Sequence, residues 1–134
     1  MFRARWVVGL LIVYVMLLEA GVLAAAFEFP IHMTDTLGRQ ITIKTLPQRI
    51  VSLAPSNTER LFAVGAWHAV VGVTTVDTYP PEVATVHKVG GFVPKSLSLE
   101  TIVSLKPDLV LAAGELQRPT IEALERIGLT VVAI

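Results

Sequence analysis

The pattern of apolar and polar positions changes along the chain. Residues 32–35 and 40–43 alternate polar and apolar side chains around a bend at Gly38, which predicts a β-hairpin. Four later segments are instead apolar at nearly every position, as is typical of a parallel sheet covered by helices on both faces. These predicted strands are residues 49–54, 69–73, 108–113 and 129–134.

The segments between the apolar strands contain residues that are typical of helix starts and helix ends. After Pro55, Ser56 is a candidate N-cap because Glu59 follows at capping-box spacing, and Gly65 predicts the end of that helix. The alternation of strands and helices predicts an α/β fold: a Rossmann-like, doubly wound, mainly parallel sheet of about four strands plus an N-terminal β-hairpin. Further helices are predicted near Pro81, from Ser98 to Leu105 and from Thr120 to Ile127.

The first 26 residues have a different pattern. Arg3 and Arg5 precede an unbroken apolar run over residues 6–18, and three alanines follow at 24–26. This layout predicts a secretory signal peptide over residues 1–26. An uncleaved membrane anchor is the alternative, because residues 6–26 could cross a hydrocarbon core of about 30 Å with Glu19 as the one charged residue. Both readings predict a periplasmic or other extracytoplasmic protein.

Composition narrows the possible partners. Of the 134 residues 53% are hydrophobic, and the formal net charge is zero. Beyond residue 26 the chain holds 9 basic and 10 acidic side chains without a basic stripe, so we expect no nucleic-acid partner. The chain has no cysteine, which argues against a lipidated cysteine and leaves stability to the core.

Polar loops follow the predicted strands, at the place where open parallel sheets bind ligands. The motifs Gly-x-Gly-x-x-Gly, Gly-Lys-Ser/Thr and Gly-x-Ser-x-Gly are absent from the sequence. His32, His68 and His87 lack metal-ligand spacing, so we expect no metal site. Ser56 suits a helix cap better than a nucleophile, and the chain reads as a binding protein without a cofactor of its own rather than as an enzyme.

A family resemblance is carried by three segments in order: RIVSLAPSNTERLFAVGA, VVGVTTVDTYPPE and KVGGFVPKSLSLETIVSLKPDLVLAAG. They resemble substrate-binding proteins of ABC importers, in the group that binds cobalamin, iron-siderophores and haem. The resemblance implies two doubly wound lobes joined by a long helix, with the ligand between them. Residues 27–134 would be the N-terminal lobe, with the second lobe and the linking helix missing.

The resemblance also suggests ligand contacts. Phe92 lies where the family places a side chain against the ligand, and an aromatic ring suits a flat macrocycle. Val76 stands where corrinoid binders often have tyrosine, so cobalamin, ferric siderophore and haem all remain candidate cargoes. Tyr79 is open to a structural role as well as ligand contact. The remaining candidate contacts, taken from the loops after the strands, are Ser56, Asn57, Asp77 and Arg118.

Glu100 is the candidate for a different contact. In the family, a glutamate at the start of the Leu-Glu-x-Ile-x-x-Leu-Lys-Pro-Asp helix docks on arginines of the ABC permease in the inner membrane. An acid in a first helical turn also complements the helix dipole, and both roles can hold at once.

Two other functions remain open at this stage. One is a small exported enzyme on a Rossmann-like sheet, which would need a nucleophile–base pair or a metal cluster. The other is a single membrane-tethered lobe that engages a permease. If the chain acts as one isolated lobe, we expect it to bind a chelate weakly or not at all, because small-molecule sites usually bury about 70–90% of the ligand surface.

Overall fold

Residues 28–134 are the part of the chain that the structure, a computed structural model, describes. The predicted signal peptide or anchor at residues 1–26 lies outside these described residues. Within residues 28–134, no helix combines the length and the apolar character that are needed to cross a membrane.

The described chain forms seven strands and three α-helices. The predicted short helix near Pro81 is a 3₁₀ turn over Pro81–Thr85, and a further 3₁₀ turn spans Gly114–Gln117. The strands are β1 (Ile31–Thr34), β2 (Gln40–Ile43), β3 (Ile50–Ser52), β4 (Val70–Val73), β5 (His87–Lys88), β6 (Leu109–Ala112) and β7 (Val131–Ala133); the helices are α1 (Pro55–Ala63), α2 (Leu99–Ser104) and α3 (Arg118–Arg126).

The main sheet has the strand order β5-β4-β3-β6-β7, and every neighbouring pair is parallel. Within this sheet the chain enters at the central strand β3, continues outward through β4 to β5, and then returns to the other side of β3 to form β6 and β7. The direction of winding therefore reverses between β3 and β6, which makes a topological switch point at their carboxyl ends. The predicted doubly wound α/β fold is confirmed.

The side chains of the apolar strands pack into two core layers, one on each face of the sheet, because successive residues of a strand point to opposite faces. Val51 and Val110 pack in the layer that holds Ile102 of α2 and Leu124 of α3. On the other face, Ile50 and Leu109 pack with Leu61 of α1 and Ile41 of the hairpin. This double burial explains why β3 and β6 have no polar face.

The hairpin β1–β2 is antiparallel, as predicted, with Gly38 at φ 75° in its turn. Asp35 fixes this turn to the edge strand β7. Its Oδ2 accepts a hydrogen bond from the Ala133 amide at 3.2 Å, and its Oδ1 accepts from the Leu37 and Arg39 amides at 3.0 Å. The Thr36 amide donates to the Ala133 carbonyl at 3.1 Å, so the turn covers part of the outer edge of β7.

The sheet has five strands instead of the four predicted. The additional strand, β5, consists of two exposed residues, His87 and Lys88, beside β4. Neither is apolar, and two residues are too few to show a period. A strand this short is therefore placed by its pairing with β4 rather than by a local pattern.

The predicted cap at Ser56 is wrong. Helix α1 begins one residue earlier, at Pro55, and the extended residue Ala54 precedes it without a side-chain cap bond. Proline at a first helical position has its φ preset and loses no needed donor, so it can start the helix here. The cap at Ser98 is confirmed, because its Oγ accepts a hydrogen bond from the Thr101 amide at 3.1 Å.

Candidate functional site

The candidate site is the carboxyl edge, which we define as the loops that follow four of the parallel strands. These loops meet beside the switch point between β3 and β6, where doubly wound sheets bind ligands. They comprise residues 53–57 after β3, 74–79 after β4, 89–97 after β5 and 113–118 after β6.

The loop that carries Phe92 is narrow and closed on itself. The Gly91 amide donates to the Ser96 carbonyl at 2.9 Å, and Gly90 pairs with Leu97 in an isolated bridge. Gly90 has φ 104°, and a Cβ added there would lie 2.1 Å from the Ser96 carbonyl oxygen. Only glycine therefore fits at this position, and the loop holds a half-buried Phe92 at the carboxyl edge.

Gln117 is a component of the edge that sequence reasoning missed. Its side chain is fully buried, and its Nε2 donates to the Leu53 carbonyl at 2.8 Å and to the Phe92 carbonyl at 2.7 Å. Its Oε1 accepts from the Ala113 amide at 2.8 Å. A glutamine among polar loop residues gives no sequence signal for these contacts, because two of the partners are 25 and 64 residues away.

Two predicted ligand contacts are buried, and the structure does not present them at the surface. Asn57 is 1% exposed, and its Nδ2 donates to the Ala112 carbonyl at 3.3 Å. Asp77 is 4% exposed, and its Oδ2 accepts from the amide and the hydroxyl of Thr74. Asp77 Oδ1 is buried and has no hydrogen-bond partner among the described residues.

The other predicted contacts are accessible at the edge. Ser56 is exposed, Val76 and Tyr79 are about half exposed, and Phe92 is half-buried. The ring of Tyr79 lies edge-to-face against Phe62, with 6.0 Å between the centroids. Tyr79 therefore packs on α1 and remains partly open to solvent, which allows both of the roles considered for it.

Arg118 is held by a neighbouring acid. Its Nε donates to Glu115 Oε1 at 2.7 Å, and its Nη2 pairs with the other carboxylate oxygen. The hydrogen bond from Arg118 lowers the pKa of Glu115 below its ordinary value, against the opposing effect of desolvation. Both side chains are well exposed, so a polar ligand group can compete for Arg118 at small cost.

The edge combines accessible apolar side chains with few charges. Val93 and Leu116 are each about half exposed, as are Val76 and Tyr79. Among residues 28–134, no group of three or more histidine, cysteine, aspartate or glutamate side chains could hold a metal ion. The arrangement is therefore suited to non-covalent contact with a partly apolar ligand.

Glu100 lies in the first turn of α2, which follows directly on the 89–97 loop, and it is exposed to solvent. Leu99 and Val103 are also about 40% exposed on this short helix. The amino end of α2 thus presents one carboxylate with two apolar neighbours.

Comparison with known proteins identifies relatives of this chain. The uncharacterized ABC transporter substrate-binding lipoprotein YvrC of Bacillus subtilis (strain 168) is 44% identical over 109 residues, which are 79% of this chain and 34% of the relative. A cobalamin-binding protein of Halobacterium salinarum (strain ATCC 29341 / DSM 671 / R1) is 36% identical over 106 residues, covering 79% of this chain and 29% of the relative.

A solved structure agrees with these sequence matches. The periplasmic vitamin B12 binding protein BtuF of Vibrio cholerae superimposes with a TM-score of 0.60 and 31% identity, covering 65% of this chain and 34% of that one. This chain thus spans about a third of the length of the relatives it matches. Residues 50–133 also match the family described as Periplasmic binding protein. The chain belongs to the periplasmic binding protein family.

Proposed function

We propose that this chain provides a ligand-binding lobe of the substrate-binding component of an ABC importer, and that its cargo is a metal chelate such as cobalamin, a ferric siderophore or haem. The names of the similar proteins, a substrate-binding lipoprotein and cobalamin-binding proteins, support this reading. The observation that carries it is the row of accessible apolar side chains at the carboxyl edge, beside the switch point.

The physical basis is burial of a flat, largely apolar surface. Val76, Tyr79, Val93 and Leu116 each leave about half of their surface in water. Covering them with a macrocycle removes that apolar area from solvent at roughly 25 cal/mol per Å². The ring of Phe92 adds stacking, which contributes about 0.5–1.5 kcal/mol beyond area.

A titration of the full chain with cyanocobalamin and with hemin tests the ligand role. The Phe92→Ala variant should lower the affinity for the bound probe about tenfold, because a stacking ring and its area are lost. Val64→Ala is the matched control, since Val64 is 76% exposed at the end of α1 and outside the carboxyl edge. The accessible apolar side chains of the carboxyl edge should support at least weak binding. Equal losses in the two variants, or no binding of either probe up to about 1 mM, would therefore contradict the proposal.

We assign permease docking to Glu100. The exposed carboxylate between two accessible apolar side chains supports this role, because charge complementarity steers encounter while apolar contact adds affinity. The partner surface would carry an arginine, and such a contact would set register and association rate more than bulk affinity.

The docking role is testable with a permease–ATPase complex reconstituted in nanodiscs. Glu100→Ala should slow association with the complex several-fold at low salt and leave chelate affinity unchanged, because Glu100 is not one of the side chains assigned to the chelate. Glu122→Ala removes an exposed acid from α3 and serves as control. Lost chelate affinity together with normal association would assign Glu100 to the ligand instead.

The lobe would act outside the cytoplasm, with the N-terminal segment as a cleaved signal or a retained anchor. Mass spectrometry of the exported protein distinguishes the two. A mature N-terminus at Phe27 supports cleavage, whereas an intact segment supports the anchor.

A further inference from the structure

One buried carboxamide joins three loops of the carboxyl edge. Gln117 connects the end of β3 through Leu53, the end of β6 through Ala113, and the loop after β5 through Phe92. The sheet order places β3 and β6 side by side, with β4 between β3 and β5. Gln117 therefore spans both sides of the switch point with a single side chain.

The Phe92 loop is otherwise tied mainly to itself. The bonds from Gly91 to Ser96 and from Ser96 to Val93 close the loop internally. The Thr75 amide, which donates to the Gly90 carbonyl at 2.8 Å, holds only the base of the loop. The bond from Gln117 to the Phe92 carbonyl thus determines how the tip of this closed loop is oriented against the switch point.

Glutamine suits this position by its chemistry. Both Nε2 hydrogens are used by carbonyl oxygens, and Oε1 accepts a backbone amide. An ionised glutamate would place a carboxylate against two carbonyl oxygens, and methionine would leave three backbone groups unpaired. Asparagine keeps the carboxamide but is one methylene shorter.

We propose that Gln117 is a positioning residue for ligand binding: by holding the Phe92 loop against the ends of β3 and β6, it presets the ring that contacts the chelate. This inference rests on the ligand role proposed for the carboxyl edge. Gln117 itself is fully buried and acts through Phe92 rather than by touching the ligand. Preorganisation of this kind improves affinity because less ordering is left to the binding step.

Hydrogen exchange of the full chain without ligand, kept in a mild detergent, tests the first half of the proposal. Gln117→Met should accelerate exchange more than tenfold in peptides that cover residues 89–97, with little change in the hairpin 31–43. Gln117→Asn serves as the second variant if Gln117→Met does not fold. Uniform acceleration in all peptides would overturn the proposal, since it indicates a general loss of stability.

A double-mutant cycle tests the second half with cyanocobalamin and hemin as probes. Gln117→Met and Phe92→Ala should each weaken binding about tenfold, and the double variant should be no weaker than about tenfold, because both changes remove the same preset ring. Glu122→Gln, on the exposed face of α3, is the control and should bind as the wild type does. Independent, multiplying losses would overturn the positioning role.

The two proposals fail in different ways. If the wild-type chain binds neither probe, the ligand role of the edge is wrong, and with it the binding half of this inference. If the wild type binds, and exchange around Phe92 in Gln117→Met and Gln117→Asn equals that of the wild type, the positioning role alone is wrong.

Discussion

Two buried aspartates lie toward opposite ends of the main sheet, and their surroundings differ. Asp35, beside β7, has both carboxylate oxygens engaged by backbone amides and by the Arg39 guanidinium. Asp77, after β4, uses one oxygen on Thr74, while the other has no partner in the described part of the chain. The first carboxylate is fully paired, and the second keeps an unused acceptor.

The comparison distinguishes Asp35, which fixes one element to another, from Asp77, whose hydrogen bonding is incomplete. Complete pairing at Asp35 fixes the hairpin to β7, with Arg39 also reaching the Val131 carbonyl and Glu125 of α3. The unused oxygen of Asp77 is a buried acceptor, a kind of group that native proteins rarely leave unpaired. Asp77 therefore keeps an acceptor that the described residues do not use.

Removing the Asp35 carboxylate should lower the stability of the fold more than the substitutions of Glu125 or Asp77 do. Asp35→Ala leaves Arg39 and three backbone amides without their partner, so we expect a loss of roughly 3 kcal/mol in the free energy of unfolding. Chemical denaturation followed by circular dichroism measures this loss. Glu125→Ala breaks the more exposed pair of the same arginine and should cost less than about 1 kcal/mol. Equal costs would show that the tie does not depend on the buried carboxylate.

Lowering the pH should remove part of the stabilisation that Asp35 provides. Burial alone raises the pKa of Asp35, but hydrogen bonds from the Arg39 side chain and from backbone amides outweigh it, so the pKa lies below its ordinary value of 3.8. The stabilisation is therefore present above about pH 4 and is lost as the pH falls through the folded pKa. Thermal melts between about pH 5 and pH 3 should show a shallower decline for Asp35→Asn than for the wild type. Parallel curves would contradict this assignment.

Substitutions of the half-paired Asp77 should lower the stability of the fold less than Asp35→Ala does. Asp77→Ala removes the acceptor for the Thr74 amide and hydroxyl and should cost roughly 1–2 kcal/mol. Asp77→Asn keeps an oxygen toward Thr74 and places the amide at the unused position, so denaturation should show a change within about 0.5 kcal/mol. If both variants cost the same, the negative charge itself is needed, and the comparison with Asp35 no longer holds.

Most of the fold follows from local sequence patterns. Uniformly apolar strands predict a doubly covered parallel sheet, and Gly38 and Ser98 mark a hairpin turn and a helix start that the structure contains. The wrong cap at Ser56 arose because proline also starts helices, and a spacing rule does not decide between the two. Strand β5 was missed because two exposed residues have no period.

The candidate site was less predictable because its geometry depends on long-range contacts. Sequence order places the loops at one edge, but burial decides which side chains face out. Asn57 and Asp77 turn inward to backbone partners, whereas Val93 and Leu116, which received no ligand role, are exposed. Gln117 gave no signal at all, because two of its three partners, Leu53 and Phe92, lie in other loops.

Both outer strands of the main sheet are protected against pairing with another copy of the chain. At one end the outermost strand is only His87–Lys88, with a lysine that resists desolvation, and at the other Asp35 and Thr36 occupy backbone groups of Ala133. Neither end offers a long, unoccupied row of donors and acceptors on which a second chain could add a strand. Such protection matters because strand addition between copies is a common first step toward fibrils.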